Sequence, residues 1–168
     1  IITNMAIKYS PKELQFFLID FKKGVEFKIY ANEKLPHARA IAIESDREFG
    51  LSVLRKIDEE LKERGDKFRN INAQNISQFR DNSHEDMPRI LLVIDEFQEF
   101  FTEDDNLAKD AVLLMDRIVR QGRAFGIHVL LGSQTLGGAQ TLPRSTMGQM
   151  GIRIALQCNE SDSYLIFN

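Results

Sequence analysis

The segment ILLVIDEFQEF, Ile90–Phe100, sets an aliphatic run against two adjacent acids, Asp95 and Glu96. The middle of a buried strand does not tolerate a pair of carboxylates, but its tip does, where the chain leaves the sheet. Two readings fit. In one, both acids are solvated at a strand end. In the other, one carboxylate holds a magnesium ion through water and the next polarises an attacking water for phosphoanhydride hydrolysis. A hydrophobic strand ending in Asp-Glu is the pattern called Walker B. Gln134 closes a second apolar run, IHVLLGSQ, where its amide can sense a terminal phosphate or simply bond to loop backbone.

Other chemically able residues fall at comparable places. Lys22 follows Asp20 at the end of the run LQFFLID. It reads as positive charge at a strand-end crevice or as a solvated lysine. Arg120 and Arg123 end a long amphipathic pattern, where basic residues favour helix C-termini in any protein. In a ring-forming ATPase an arginine there can also point at a neighbour's nucleotide.

The elements that must position these residues follow from periodicity. Ile1, Ile2, Met5 and Ile7 have helical spacing, ended by Ser10-Pro11, and read as the back half of a helix. Leu14–Asp20 reads as a buried strand, Phe27–Tyr30 as an edge strand or a helical turn, and Ala38–Glu44 as a short strand. Ser45 with Glu48 has capping-box spacing and opens a helix to about Arg69. Asn70–Met87 is polar, with Ile71, Ile76 and Phe79 able to anchor a short helix. Ile90–Asp95 is the central strand, and Asp104–Asn106 caps a helix to about Ala124. Ile127–Gln134 is a further strand, a Gly-rich loop follows, and Ile152–Cys158, IRIALQC, alternates as another core strand. The chain then enters a capped helix start. Alternating strands and helices predict an α/β fold with a mostly parallel sheet flanked by helices, ligands lying at the strands' carboxyl ends.

Composition narrows the function classes. A chain of 168 residues with 43% hydrophobic and 28% charged residues supports one ordinary globular core. No apolar run reaches membrane-spanning length, and the N-terminus lacks a signal-peptide pattern. The single cysteine, Cys158, excludes an intrachain disulfide and fits a reducing, cytoplasmic setting. A net charge of −3 means that a nucleic-acid partner would need a local basic surface or other parts of a larger protein. The three scattered histidines and one cysteine offer no zinc-type cluster.

Several motifs in consistent order carry a resemblance. LPH (Leu35–His37), VIDEF (Val93–Phe97), GRAFGIHVLLGSQ (Gly122–Gln134) and RIALQC (Arg153–Cys158) are similar to the motor domain of the FtsK/SpoIIIE family. LIDFKKGVEF (Leu18–Phe27) also matches, and the resemblance covers nearly the whole chain. It implies a RecA-like P-loop NTPase core that uses ATP and Mg2+ and works as a homo-oligomeric ring, usually a hexamer. By that resemblance Asp95 would be the magnesium-associated acid, acting through water, and Glu96 the catalytic glutamate. Gln134 would be the polar sensor and Arg123 the arginine presented to the adjacent subunit. Arg153 would be a second candidate for that role, or structural, and Lys22 would add positive charge to the nucleotide crevice.

The sequence departs from the family in one large respect. No GxxxxGK[ST] phosphate loop is present in residues 1–168. In the family that loop begins the helix whose end matches Ile1–Tyr9. The expectation is therefore a partial motor domain spanning 1–168, cut short at both ends and inactive on its own, from a parent protein that can be membrane-tethered. The favoured function is ATP-driven translocation of double-stranded DNA. The alternatives are a motor for type VII-like protein secretion and a non-catalytic α/β interaction domain.

Overall fold

The computed structural model describes residues 1–22, 27–43, 46–134 and 142–167. Four parallel strands form one sheet: β1 (Leu14–Asp20), β2 (Ala38–Ala42), β3 (Arg89–Asp95) and β4 (Ile127–Leu131), in the order β2-β1-β3-β4. β3 is buried on both faces, which explains its unbroken apolar run. Ile90, Leu92 and Ile94 face one core, together with Leu54 and Ile57 of α3 (Arg47–Asn70) and Met115 and Ile118 of α5 (Asn106–Gln121). Leu91 and Val93 face a smaller core with Phe16, Leu18 and Ile2, the last from α1 (Ile2–Lys8).

The helix signals are largely met. α3 is capped by Asp46, whose side chain accepts from the Phe49 amide at 2.7 Å. The cap expected at Ser45 falls outside the described residues. Phe27–Tyr30 resolves to a helical turn, with Phe27 as the N-cap and Lys28–Tyr30 opening α2 (Lys28–Asn32). The polar stretch after α3 holds α4 (Ile76–Ser83), capped by Asn75, with Ile76 and Phe79 buried as anchors. Asp105 caps α5 through the Ala108 amide. The same carboxylate receives two bonds from Arg47, which also donates to the Phe100 carbonyl at 2.8 Å. The starts of α3 and α5 are thus tied together over the tip of β3.

One strand expectation fails. Ile152–Cys158 lies after α6 (Arg144–Met147) and before α7 (Glu160–Phe167), and it joins no ladder among the described residues. Its Ile152, Ile154 and Leu156 are 84%, 74% and 87% exposed. Alternation gives a strand only where a neighbour supplies ladder hydrogen bonds and a face to bury, and among the described residues neither is present. The described sheet therefore has four strands rather than five.

Candidate functional site at the carboxyl ends of the strands

Register brings three chain segments to one rim. Asp20 pairs with Asp95 across β1 and β3, and Ile94 pairs with Leu131 across β3 and β4. The ends of β1, β3 and β4 thus deliver Asp20 and Lys22, Asp95 and Glu96, and Ser133 and Gln134 to a common edge. The backbone of Gly132 brackets the turn after β3: its amide donates to the Ile94 carbonyl at 2.8 Å, and its carbonyl accepts from the Phe97 amide at 3.2 Å. A Cβ at Gly132 would stand 2.7 Å from Asp95 Oδ1, so the absent side chain leaves room for the half-buried Asp95 carboxylate.

Glu96 is the centre of the group. It is 2% exposed and has φ 54° and ψ 46°, the left-handed region that a residue with a Cβ seldom adopts. A short 3-10 helix, Phe97–Phe101, follows at once, with Phe97, Phe100 and Phe101 buried. These rings anchor the turn and hold the carboxylate against the strand ends. Lys22 Nζ donates to Glu96 Oε1 at 2.8 Å and to Gln134 Oε1 at 3.2 Å. The Gln134 backbone amide donates to Glu96 Oε2 at 3.4 Å, and Gln98 Nε2 donates to the same oxygen. The Lys22 backbone is fixed by its amide's bond to Asp20 Oδ1 at 2.9 Å.

Electrostatics follow the geometry. Burial is the largest single influence on the Glu96 carboxyl and pushes its pKa up. The bonds from Lys22, Gln98 and the Gln134 amide together outweigh it and leave the group below the usual carboxylate range. Lys22 is raised, first by its bond to Glu96, with Glu99 and Asp95 adding to the effect.

Four of the sequence candidates, Lys22, Asp95, Glu96 and Gln134, share this rim. Two do not. Arg123 is exposed in the connection between α5 and β4. Ile127, where β4 begins, pairs with Ile90. That is five residues from Asp95, or about 17 Å along the strand. Arg123 thus stands at the opposite end of the sheet within this chain. Arg153 donates to the carbonyls of Ile166 at 3.0 Å and Met147 at 3.1 Å, joining α7 to the end of α6. The Gly-rich loop residues 135–141 lie outside the described residues. Gln98, not among the sequence candidates, is part of the site. Its only signal was its place two residues after the acid pair.

The rim suits the acidic half of a magnesium–nucleotide site. Among the described residues no three His, Cys, Asp or Glu side chains gather as a metal cage. A cation held here would rest on few protein carboxylates, with water and phosphate oxygens completing its shell, the mode magnesium prefers.

Comparison with known proteins agrees with the fold. The FtsK/SpoIIIE family model matches residues 1–138, and this chain belongs to that family. Its fold is that of the P-loop ATPase domains. It is 29% identical over 144 residues to the ESX secretion system protein YukB of Bacillus subtilis, covering 82% of this chain and 9% of that protein. It is 29% identical over 170 residues to the ESX-5 secretion system protein EccC5 of Mycobacterium tuberculosis, covering 94% and 11%. The chain thus spans about a tenth of the length of these curated relatives. Among solved structures, the cytoplasmic domain of the Thermomonospora curvata type VII secretion ATPase EccC superposes with a TM-score of 0.73 at 26% identity. That match covers 98% of this chain and 19% of the other. The pCW3 conjugation coupling protein TcpA, solved with ATPγS, gives 0.72 at 21% identity and shares the fold, covering 94% and 45%.

Proposed function

We propose that this chain is the hydrolytic half of an ATPase module in a type VII-like protein secretion motor. The observation that carries the proposal is the Glu96 carboxylate, buried at the carboxyl ends of the strands between Lys22 and Gln134. The secretion assignment rests on the relatives, which are secretion-system proteins.

When bound, ATP and Mg2+ supply the phosphoanhydride and neutralise its charge. Asp95 would hold the ion through water. Glu96 accepts the proton of the attacking water, and the Gln134 side-chain amide orients that water or reads the terminal phosphate. Lys22 contributes positive charge beside the phosphates. Arg123 cannot serve the site of its own subunit from the far end of the sheet, so in a homo-oligomeric ring, a hexamer by family resemblance, it would face a neighbour. Arg153 is assigned the clamp between α6 and α7. The phosphate loop would come from outside these 168 residues, in a parent protein working at the cytoplasmic face of a membrane. Among the described residues no helix is long and apolar enough to cross a membrane.

The test is ATP turnover by the intact protein with and without linear double-stranded DNA, and with and without an exported substrate protein. Stimulation by the substrate protein and indifference to DNA is the expected result. Stimulation by DNA alone would restore the double-stranded DNA translocase reading, and no turnover under any condition would favour the interaction-domain reading.

The position of Gly132 adds a second expectation. Gly132→Ala places a methyl group 2.7 Å from Asp95 Oδ1 and must displace that carboxylate. The Mg2+ concentration needed for half-maximal turnover should rise on the order of tenfold, because small misplacements of positioning groups are costly. An unchanged Mg2+ titration would remove Asp95 from the ion.

A further inference from the structure

Both oxygens of the Glu96 carboxylate are already occupied. Lys22 Nζ takes Oε1 at 2.8 Å, while Gln98 Nε2 and the Gln134 amide take Oε2. A carboxylate accepts a proton from water only through a lone pair the water can reach, and these three donors take up three of its roughly four such sites. The Glu96 backbone is left-handed and runs directly into the buried 3-10 helix, and the residue is 2% exposed. Lys22 differs. Its side chain is 47% exposed and unbranched, so it can swing away while its backbone stays bonded to Asp20. It also bridges to Gln134, so one ammonium engages the base and the sensor together.

We propose that Lys22 and Gln98 form a latch that holds Glu96 closed as a base, and that an anion entering the rim opens it by drawing the Lys22 ammonium away. The anion is a terminal phosphate of a nucleotide, so the inference rests on the proposed function and adds a control step to it. In the closed state Glu96 cannot activate a water, and the base is withheld until a terminal phosphate is seated at the rim. In the open state Lys22 pairs with phosphate, Glu96 Oε1 becomes available, and Gln134 is released at the same moment. Gln98 is the member whose role can be isolated, because nothing places it on the nucleotide.

Two readouts on the intact protein test the latch. The first is acylation of Lys22 by a small amine-reactive reagent, followed by mass spectrometry and independent of turnover. In nucleotide-free protein Lys22 should react slowly, and Glu96→Gln should raise its reactivity about tenfold, the scale of a charged hydrogen bond lost. Addition of Mg2+ with a non-hydrolysable ATP analogue should keep Lys22 slow in the wild type, where phosphate replaces Glu96 as its partner, and should lower its reactivity in Glu96→Gln back toward the wild-type level. The second is unstimulated turnover of Gln98→Leu, which should rise several-fold with the KM for ATP unchanged. Lys22 reactivity indifferent to Glu96→Gln would overturn the latch, as would a fall in kcat for Gln98→Leu. If the wild type has no turnover, the proposed function fails, while the acylation result still decides whether the latch exists.

Discussion

Glu96→Gln should lower ATP turnover by about a thousandfold while leaving nucleotide affinity within a small factor of the wild type. The two side chains have the same shape, so the left-handed turn and the buried rings behind it are retained. What changes is chemistry. An amide at this position has no proton affinity to offer an attacking water, and it presents one acceptor oxygen where the carboxylate presented two. Lys22 keeps its second partner, the Gln134 side chain 3.2 Å away, and so is not left wholly unpaired. Binding should therefore survive, and a fluorescent ATP analogue beside a phosphate-release assay would separate the two effects. A variant that bound nucleotide and still turned over near the wild-type rate would move the base elsewhere, with Asp95 the next group to examine.

How much of this site was legible in the sequence depends on how local each signal is. The acid pair could be read because a buried parallel strand has no tolerance for charge until its tip, so Asp95 and Glu96 marked where β3 ends. Lys22 and Gln134 could be placed at the rim for the same reason: each follows its own apolar run, and parallel register aligns the ends. Other features depend on contacts that no local pattern encodes. The left-handed backbone of Glu96 comes just before three phenylalanines that enter the core, and sequence gives no φ. Gln98 looks like a polar surface residue until that turn folds it back onto Glu96. The distance of Arg123 from the rim follows from β4 running parallel to β3, which places its start at the far end. Ile152–Cys158 shows the opposite failure. Its alternation is a strand signal, but pairing is a property of two segments, and the described chain provides no partner.

Phe100→Ala should destabilise the fold by about 3–5 kcal/mol, the range for removing a buried aromatic ring and leaving a cavity. Phe100 is wholly buried. Its ring meets Phe21 edge-on at 4.7 Å between centroids and lies 6.1 Å from Phe101. α3 approaches it at Gly50, where an added Cβ would come within 2.8 Å of the Phe100 ring and 2.6 Å of Phe21. The surrounding helix is therefore fitted to the ring and cannot collapse far into the space it would leave. The same contact has a functional side. Phe21 immediately precedes Lys22, and Phe100 belongs to the 3-10 helix that immediately follows Glu96. The Phe21–Phe100 pair thus joins, one layer below the surface, the two segments whose charged side chains meet at 2.8 Å. Denaturant unfolding would give the stability loss, and hydrogen exchange at the Phe97–Phe101 amides would report the turn directly. Exchange should accelerate there by more than the global destabilisation accounts for, because the left-handed residue costs about 1–3 kcal/mol to hold and the ring is one of its supports. Phe100→Leu should recover part of the stability by refilling the cavity. If Phe100→Ala lost stability while exchange in the turn rose only in step with the global change, the ring would be a core residue alone, and the conformation of Glu96 would have to be held by the strand-end hydrogen bonds to Gly132.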